Sequence, residues 1–117
     1  MYRRYPTKYN SKKIEIDGHK FPSKLEAKRY LELKDLLEKG EIRDLELQKE
    51  FILIPPFKKG GKTYRKTSYF ADFCYFSIRE GKYMVEDTKG FKTEVYKLKK
   101  KLFEQRYEKL TITEVKR

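Results

Sequence analysis

The stretch Met84-Val85-Glu86-Asp87-Thr88-Lys89-Gly90 reads as a short strand that ends in an acid, one spacer, a lysine and a glycine. On a strand, residues two apart share a face. Asp87 and Lys89 therefore project together, in line with apolar Val85. A carboxylate and an ammonium side by side at the end of a buried strand are costly unless something uses them.

Working outward, residues 67–77 form the longest strand candidate. Tyr69, Ala71, Phe73 and Tyr75 are expected on one face; Phe70, Asp72, Cys74 and Phe76 on the other. Two apolar faces predict a central strand covered on both sides. Asp72 is its one charge, and burying it unpaired would cost several kcal/mol. It requires a lysine, a backbone donor or a metal ion. A turn near Glu80-Gly81 brings Asp72 and Asp87 close to cross-strand register, with Cβ atoms about 5 Å apart. Two like charges so close call for a cation between them.

Upstream, residues 14–16 and 19–21 flank Asp17-Gly18, a pair suited to a two-residue hairpin turn. His19, the single histidine, belongs to that hairpin, with no Cys or His near it in sequence for a metal role. Ser23 opens a helix to about Lys39, with Gly40 as its stop. Ser23-x-x-Glu26 matches a capping box. Glu26 also heads a stripe with Tyr30, Leu33 and Leu37, which would aim its carboxylate inward; the two roles are partly compatible. Residues 41–50 read as a polar link, and residues 51–54 as a buried strand ended by Pro55-Pro56. Positions 58–66 then hold Lys58, Lys59, Lys62, Arg65 and Lys66 and no acid, as expected of a loop on a phosphate backbone. Downstream, a helix spans 94 to about 109, with Val95, Leu98, Leu102, Phe103, Tyr107 and Leu110 on its apolar side. Lysines, among them Lys97 and Lys100, crowd the remainder, and Lys92 precedes the helix. Residues 111–115 form a last short strand.

The 117 residues suit one domain, here 14–117, preceded by a basic arm, 1–13, carrying Arg3 and Arg4 and interleaved tyrosines. The chain is 38% hydrophobic and 41% charged, with 30 Lys+Arg against 18 Asp+Glu and a net charge of +12. That balance points to a polyanionic partner, DNA first. No run of about 18 apolar residues predicts a membrane span, and the basic N-terminus has no apolar core of a secretory signal. A single cysteine rules out an intrachain disulfide and a Cys-based zinc site. A reducing, cytoplasmic setting is expected.

The order helix with Glu26, strand 51–54, strand with Asp72, strand with Asp87 and Lys89, helix, strand resembles the αβββαβ core of the PD-(D/E)XK nuclease superfamily. Asp72 matches its first acid, Asp87-Thr88-Lys89 its (Asp/Glu)-x-Lys, and Glu26 its helix acid. Asp-Gly-x-Lys-Phe-x-Ser-Lys-x-Glu-Ala (17–27) and Val-Glu-Asp-Thr-Lys-Gly-Phe-Lys-Thr (85–93) look like a family of small phage-encoded proteins of uncharacterised function assigned to that superfamily, which also holds Holliday junction resolvases and transposon-end nucleases. Ala71, not Pro, precedes Asp72. Glu86 would replace Asp87 as ligand if the register slipped by one. The second helix lacks the Gln-x-x-x-Tyr of one branch.

The resemblance implies a restriction-endonuclease-like α/β fold, a mixed sheet flanked by helices. It implies a Mg²⁺- or Mn²⁺-dependent endonuclease, with branched DNA in phage recombination or packaging as one substrate. Asp72 and Asp87 would be metal ligands, with the Thr88 carbonyl, and Glu26 direct or through water. Lys89 would orient the water or stabilise charge on the phosphate. Resolvases of the superfamily act as dimers, so a homodimer fits, and no small-molecule cofactor beyond the metal is implied. Two other classes fit the basic surface: a non-catalytic nucleic-acid-binding module and a structural protein of a ribonucleoprotein.

Overall fold

The computed structural model describes residues 13–88 and 92–116. Arg3, Arg4 and Lys89, assigned above to DNA contact and catalysis, lie outside the described residues. The elements run β1 (Ile14–Ile16), β2 (His19–Phe21), α1 (Lys24–Glu38), β3 (Ile42–Ile54), β4 (Phe57–Lys59), β5 (Lys62–Tyr64), β6 (Thr67–Ser77), β7 (Lys82–Thr88), α2 (Glu94–Arg106) and β8 (Ile112–Val115). The fold is mixed α/β. A four-stranded sheet has the order β3-β6-β7-β8, antiparallel except for the parallel pair β7–β8. A parallel neighbour requires a crossover, and α2 supplies it. Among the described residues, no helix is long and apolar enough to cross a membrane.

Local chemistry sets the ends of the early elements. Asp17 and Gly18 both take positive φ, 54° and 81°, the two-residue turn that Asp-Gly favours. The Ser23 hydroxyl accepts the Glu26 backbone N–H at 3.1 Å, capping α1 as the capping box predicts. At the other end the N–H groups of Gly40 and Glu41 bond to the carbonyls of Leu37 and Leu36. This is the paired closure that a left-handed glycine permits, with Gly40 at φ 74°.

Each face of the sheet carries one helix. Tyr96 and Phe103 of α2 pack with Phe51, Leu53, Tyr69, Ala71, Cys74, Val85 and Ile112. Ala27, Tyr30 and Leu33 of α1 pack with Phe21, Ile42, Phe73 and Tyr75. The expected α1 stripe ends early: Leu37 is exposed, and Leu36 is partly buried in its place. On α2, Val95 and Leu98 are 64% and 56% exposed. The buried side is instead centred on Tyr96 and Phe103.

Two expectations are corrected in the sheet. Residues 41–50 are no link: β3 starts at Ile42 and pairs with β6 along most of its length. Its first half is polar because β3 is an edge strand, with only alternate residues such as Leu45 and Leu47 against the core. The second correction concerns β6. Tyr69 and Ala71 face α2, but Phe73 and Tyr75 face α1. Its partner does the same: Leu45 and Leu47 lie on the α1 side, Phe51 and Leu53 on the α2 side. Residues an even number apart share a face on a regular strand, so both strands change phase. They do so together, between the pairs Leu47↔Phe73 and Lys49↔Ala71. On that rung stand Gln48, at φ 52°, and Asp72.

On β7 the regular alternation persists. Glu86 turns to α1, where Arg29 grips it with Nε at 2.8 Å and Nη2 at 2.7 Å. The Tyr75 hydroxyl donates to the same carboxylate. Glu86 is 2% exposed, so this pair ties α1 to the middle of the sheet. Removing one member of a buried pair strands the other charge. Arg29→Ala should cost about 3 kcal/mol, read by urea denaturation. The double variant Arg29→Met with Glu86→Leu should be the more stable of the two. A double variant less stable than Arg29→Ala would show that the pair does more than neutralise Glu86.

Candidate active site on the Asp72–Asp87 rung

The β6–β7 register runs from Ser77↔Lys82 to Phe73↔Glu86. Asp72 and Asp87 therefore occupy the next rung, as the turn near Glu80-Gly81 predicts. Beyond it the Asp72 side chain takes over from the ladder. Its Oδ2 accepts the Thr88 backbone N–H and the Thr88 hydroxyl, both at 2.9 Å. Its Oδ1 accepts the Gln48 side-chain amide at 2.9 Å. That amide nitrogen also reaches Glu26 Oε2 at 3.4 Å. The partners that hold Asp72 are thus a backbone donor, a hydroxyl and an amide. Of the three kinds of partner its position demanded, the structure supplies the backbone donor.

Glu26 fills both roles read from the sequence. Its backbone N–H belongs to the α1 cap, while its side chain, 6% exposed, meets Gln48. The helix start thus presents a carboxylate to the β3–β6 phase change, and Gln48 joins Glu26 to Asp72.

Asp87 is 2% exposed. Its Oδ2 accepts the Tyr69 hydroxyl at 2.6 Å. Burial, and then Asp87 itself, push the Tyr69 phenol well above its ordinary pKa, so Tyr69 stays a donor. The Asp87 carboxylate thus turns toward the α2 side, while Glu26 lies on α1. Glu86, the alternative ligand, is held by Arg29 with the register unslipped. Among the described residues, no three His, Cys, Asp or Glu side chains gather closely enough to hold a metal ion. The donor chemistry is nonetheless that of a hard divalent cation, all oxygen, from Asp72, Asp87, Glu26 and Thr88. In this structure these carboxylates face protein donors rather than one common point.

Two basic surfaces flank the strands. On the β4–β5 hairpin, Phe57 and Tyr64 stack with centroids 4.7 Å apart, and Lys62 lies over Tyr64. Lys58, Lys59, Lys62 and Arg65 are exposed there, while Lys66 pairs with Glu50 at 2.8 Å. The second surface surrounds Glu114 of β8. Lys92 reaches it at 2.8 Å, Lys100 at 3.2 Å and the Tyr96 hydroxyl at 2.8 Å. Lys97 pairs with Glu94. The expected phosphate contacts Lys92, Lys97 and Lys100 therefore each have a carboxylate partner. Cys74 is buried, and burial pushes its thiol up to about 11, so it is inert.

Sequence reading missed Gln48, Arg29 and Tyr69. Gln48 lies in the polar segment 41–50, which is the first half of β3. Its signal was the change of phase between Leu45/Leu47 and Phe51/Leu53.

The family model described as "Protein of unknown function (DUF1064)" matches residues 6–117. The chain belongs to the DUF1064 family. No curated protein and no solved structure matches it. In this DUF1064 member the match spans every element, from the β1–β2 hairpin to β8.

The cations around Glu114 hold its carboxyl down at about 2, Lys92 first, against an ordinary 4.5. A depressed folded pKa adds stability that is complete above the unfolded value and is lost as pH falls to the folded one. Glu114→Gln should destabilise the DUF1064 fold by about 1–2 kcal/mol at pH 7. The gap from wild type should close between about pH 4.5 and about pH 2. Denaturation curves at stepped pH test this; a pH-independent gap would mean that packing, not charge, carries the effect.

Proposed function

We propose that this protein is a metal-dependent endodeoxyribonuclease of the PD-(D/E)XK kind, its sheet and two helices forming a restriction-endonuclease-like core. One observation carries the reading: Asp72, in the middle of β6, and Asp87, near the end of β7, occupy the same rung, and Glu26 of α1 reaches Asp72 through Gln48. Two carboxylates on one rung, with a third from α1 joined to Asp72 through a single amide, is a costly arrangement for a protein that only binds a polyanion. The net charge of +12 supports a nucleic-acid substrate.

In this reading Asp72 and Asp87 would hold a Mg²⁺ or Mn²⁺ ion, with the Thr88 carbonyl and Glu26 as further oxygen donors. When bound, the ion supplies a Lewis acid that lowers the pKa of a water and offsets charge on the phosphate. Gln48 orients the Asp72 carboxylate, and Tyr69 orients that of Asp87. Lys89, two residues beyond Asp87, steers the water or neutralises charge developing on the phosphate. The exposed cations of the β4–β5 hairpin lie along the backbone of the DNA. Branched DNA, a homodimer and a bacterial cytoplasm are what the superfamily resemblance implies.

A second reading, a non-catalytic nucleic-acid-binding module, is favoured by the three hydrogen bonds that Asp72 already accepts from Gln48 and Thr88.

Labelled four-way-junction DNA, linear duplex and RNA of matched sequence separate the two, each with Mg²⁺, Mn²⁺ or EDTA. The nuclease reading expects metal-dependent cutting that falls by about 10²-fold or more in Asp72→Asn and in Lys89→Ala. Tight binding without cutting under any metal would sink it and leave the binding module.

A further inference from the structure

We propose that the cleft beside Glu26 seats one unpaired nucleotide next to the scissile phosphate. The protein then acts on nucleic acid with an unstacked base, at a flap, an end or a branch, in preference to continuous duplex. This deepens the nucleic-acid reading above and rests on it, though not on catalysis.

The cleft has a volume of about 640 Å³ and lies between the β1–β2 hairpin, the start of α1 and β3. That volume falls within the range of small-molecule sites. Its character is mixed in the way a nucleotide requires. Phe21, Pro22, Leu45 and Leu47 provide apolar wall, and Lys20 adds a cation. Leu45 and Leu47 are only half-buried, so they present surface to the cleft. Gln48 lines the cleft and also donates to Asp72. One side chain is therefore a wall shared by the cleft and the candidate active site. A base against the leucines would leave its own phosphate beside Asp72. A base within a duplex is stacked on both sides and cannot enter; only an unpaired or flipped one can.

The wall across from β3 is held in place. The Asp17 carboxylate accepts the Tyr30 hydroxyl at 2.8 Å and Lys34 Nζ at 2.7 Å. Phe21 packs on the Tyr30 ring at 5.1 Å, and His19 meets the same ring at 5.6 Å. The hairpin is thus fastened to α1 through its turn and through its second strand. The cleft needs no closing motion to form, which limits the ordering cost of binding.

The test reads binding in EDTA, so that it does not depend on cutting. A duplex carrying one unpaired 2-aminopurine is compared with the same duplex fully paired. Wild type should bind the unpaired form about tenfold more tightly, with a change in 2-aminopurine fluorescence as the base leaves water. Leu45→Trp fills the cleft without altering charge. It should abolish the preference and the fluorescence change while leaving affinity for the paired duplex within about twofold. Lys20→Ala, on an exposed strand, is the second variant should Leu45→Trp fail to fold, and should reduce the preference severalfold. Equal affinity of wild type for the two duplexes, or a preference untouched in both variants, would overturn the inference. A preference without any cutting would support the cleft and count against catalysis alone.

Discussion

Gln48 and Asp72 face each other across β3 and β6, and their 2.9 Å amide–carboxylate bond spans the rung where both strands change face. Without that change, Phe51, Leu53, Tyr69 and Ala71 would lie on the α1 side, because a strand keeps its period of two. α2 would then lose most of the cluster it covers. A left-handed φ at a non-glycine residue costs about 1–2 kcal/mol. Gln48 bears that strain, and its hydrogen bonds to Asp72 and Glu26 offset part of it. The two halves of the core, one under each helix, meet at this seam. The seam also leaves a half-buried carboxylate, Asp72, bonded to an exposed amide, Gln48, between the two clusters.

The acids of the molecule divide by partner. Glu86 meets a guanidinium and Glu114 meets two ammonium groups, so both are neutralised within the fold. Glu86 ties α1 to β7, and Glu114 draws Lys92, just before α2, and Lys100, within it, onto β8. Asp72 is held by neutral donors instead, and Asp87 accepts the Tyr69 phenol. Neighbouring acids on β7 thus take opposite roles because alternation sends them to opposite faces. One becomes a strut and the other turns toward α2 on the rung it shares with Asp72.

The sequence by itself determined much of the local structure, because local rules decide it. Asp17-Gly18 dictated the hairpin, Ser23 and Gly40 the two ends of α1, and Pro55-Pro56 the end of β3. The apolar run 67–77 is β6 residue for residue, and the turn near Gly81 set the rung of Asp72 and Asp87. The acids of the candidate site were legible for the same reason: each stood at a position where a charge is expensive. Only the tertiary structure decided the rest. The first half of β3 is a strand because β6 lies beside it, not because its own residues favour one. Leu37, Val95 and Leu98 are exposed because the face each helix turns to the sheet is set by packing, through Leu36 on α1 and through Tyr96 and Phe103 on α2. Above all, the change of phase at Gln48 and Asp72 depends on two strands 24 residues apart shifting together. A one-dimensional pattern records each shift as noise, and only their pairing in space makes them a single feature.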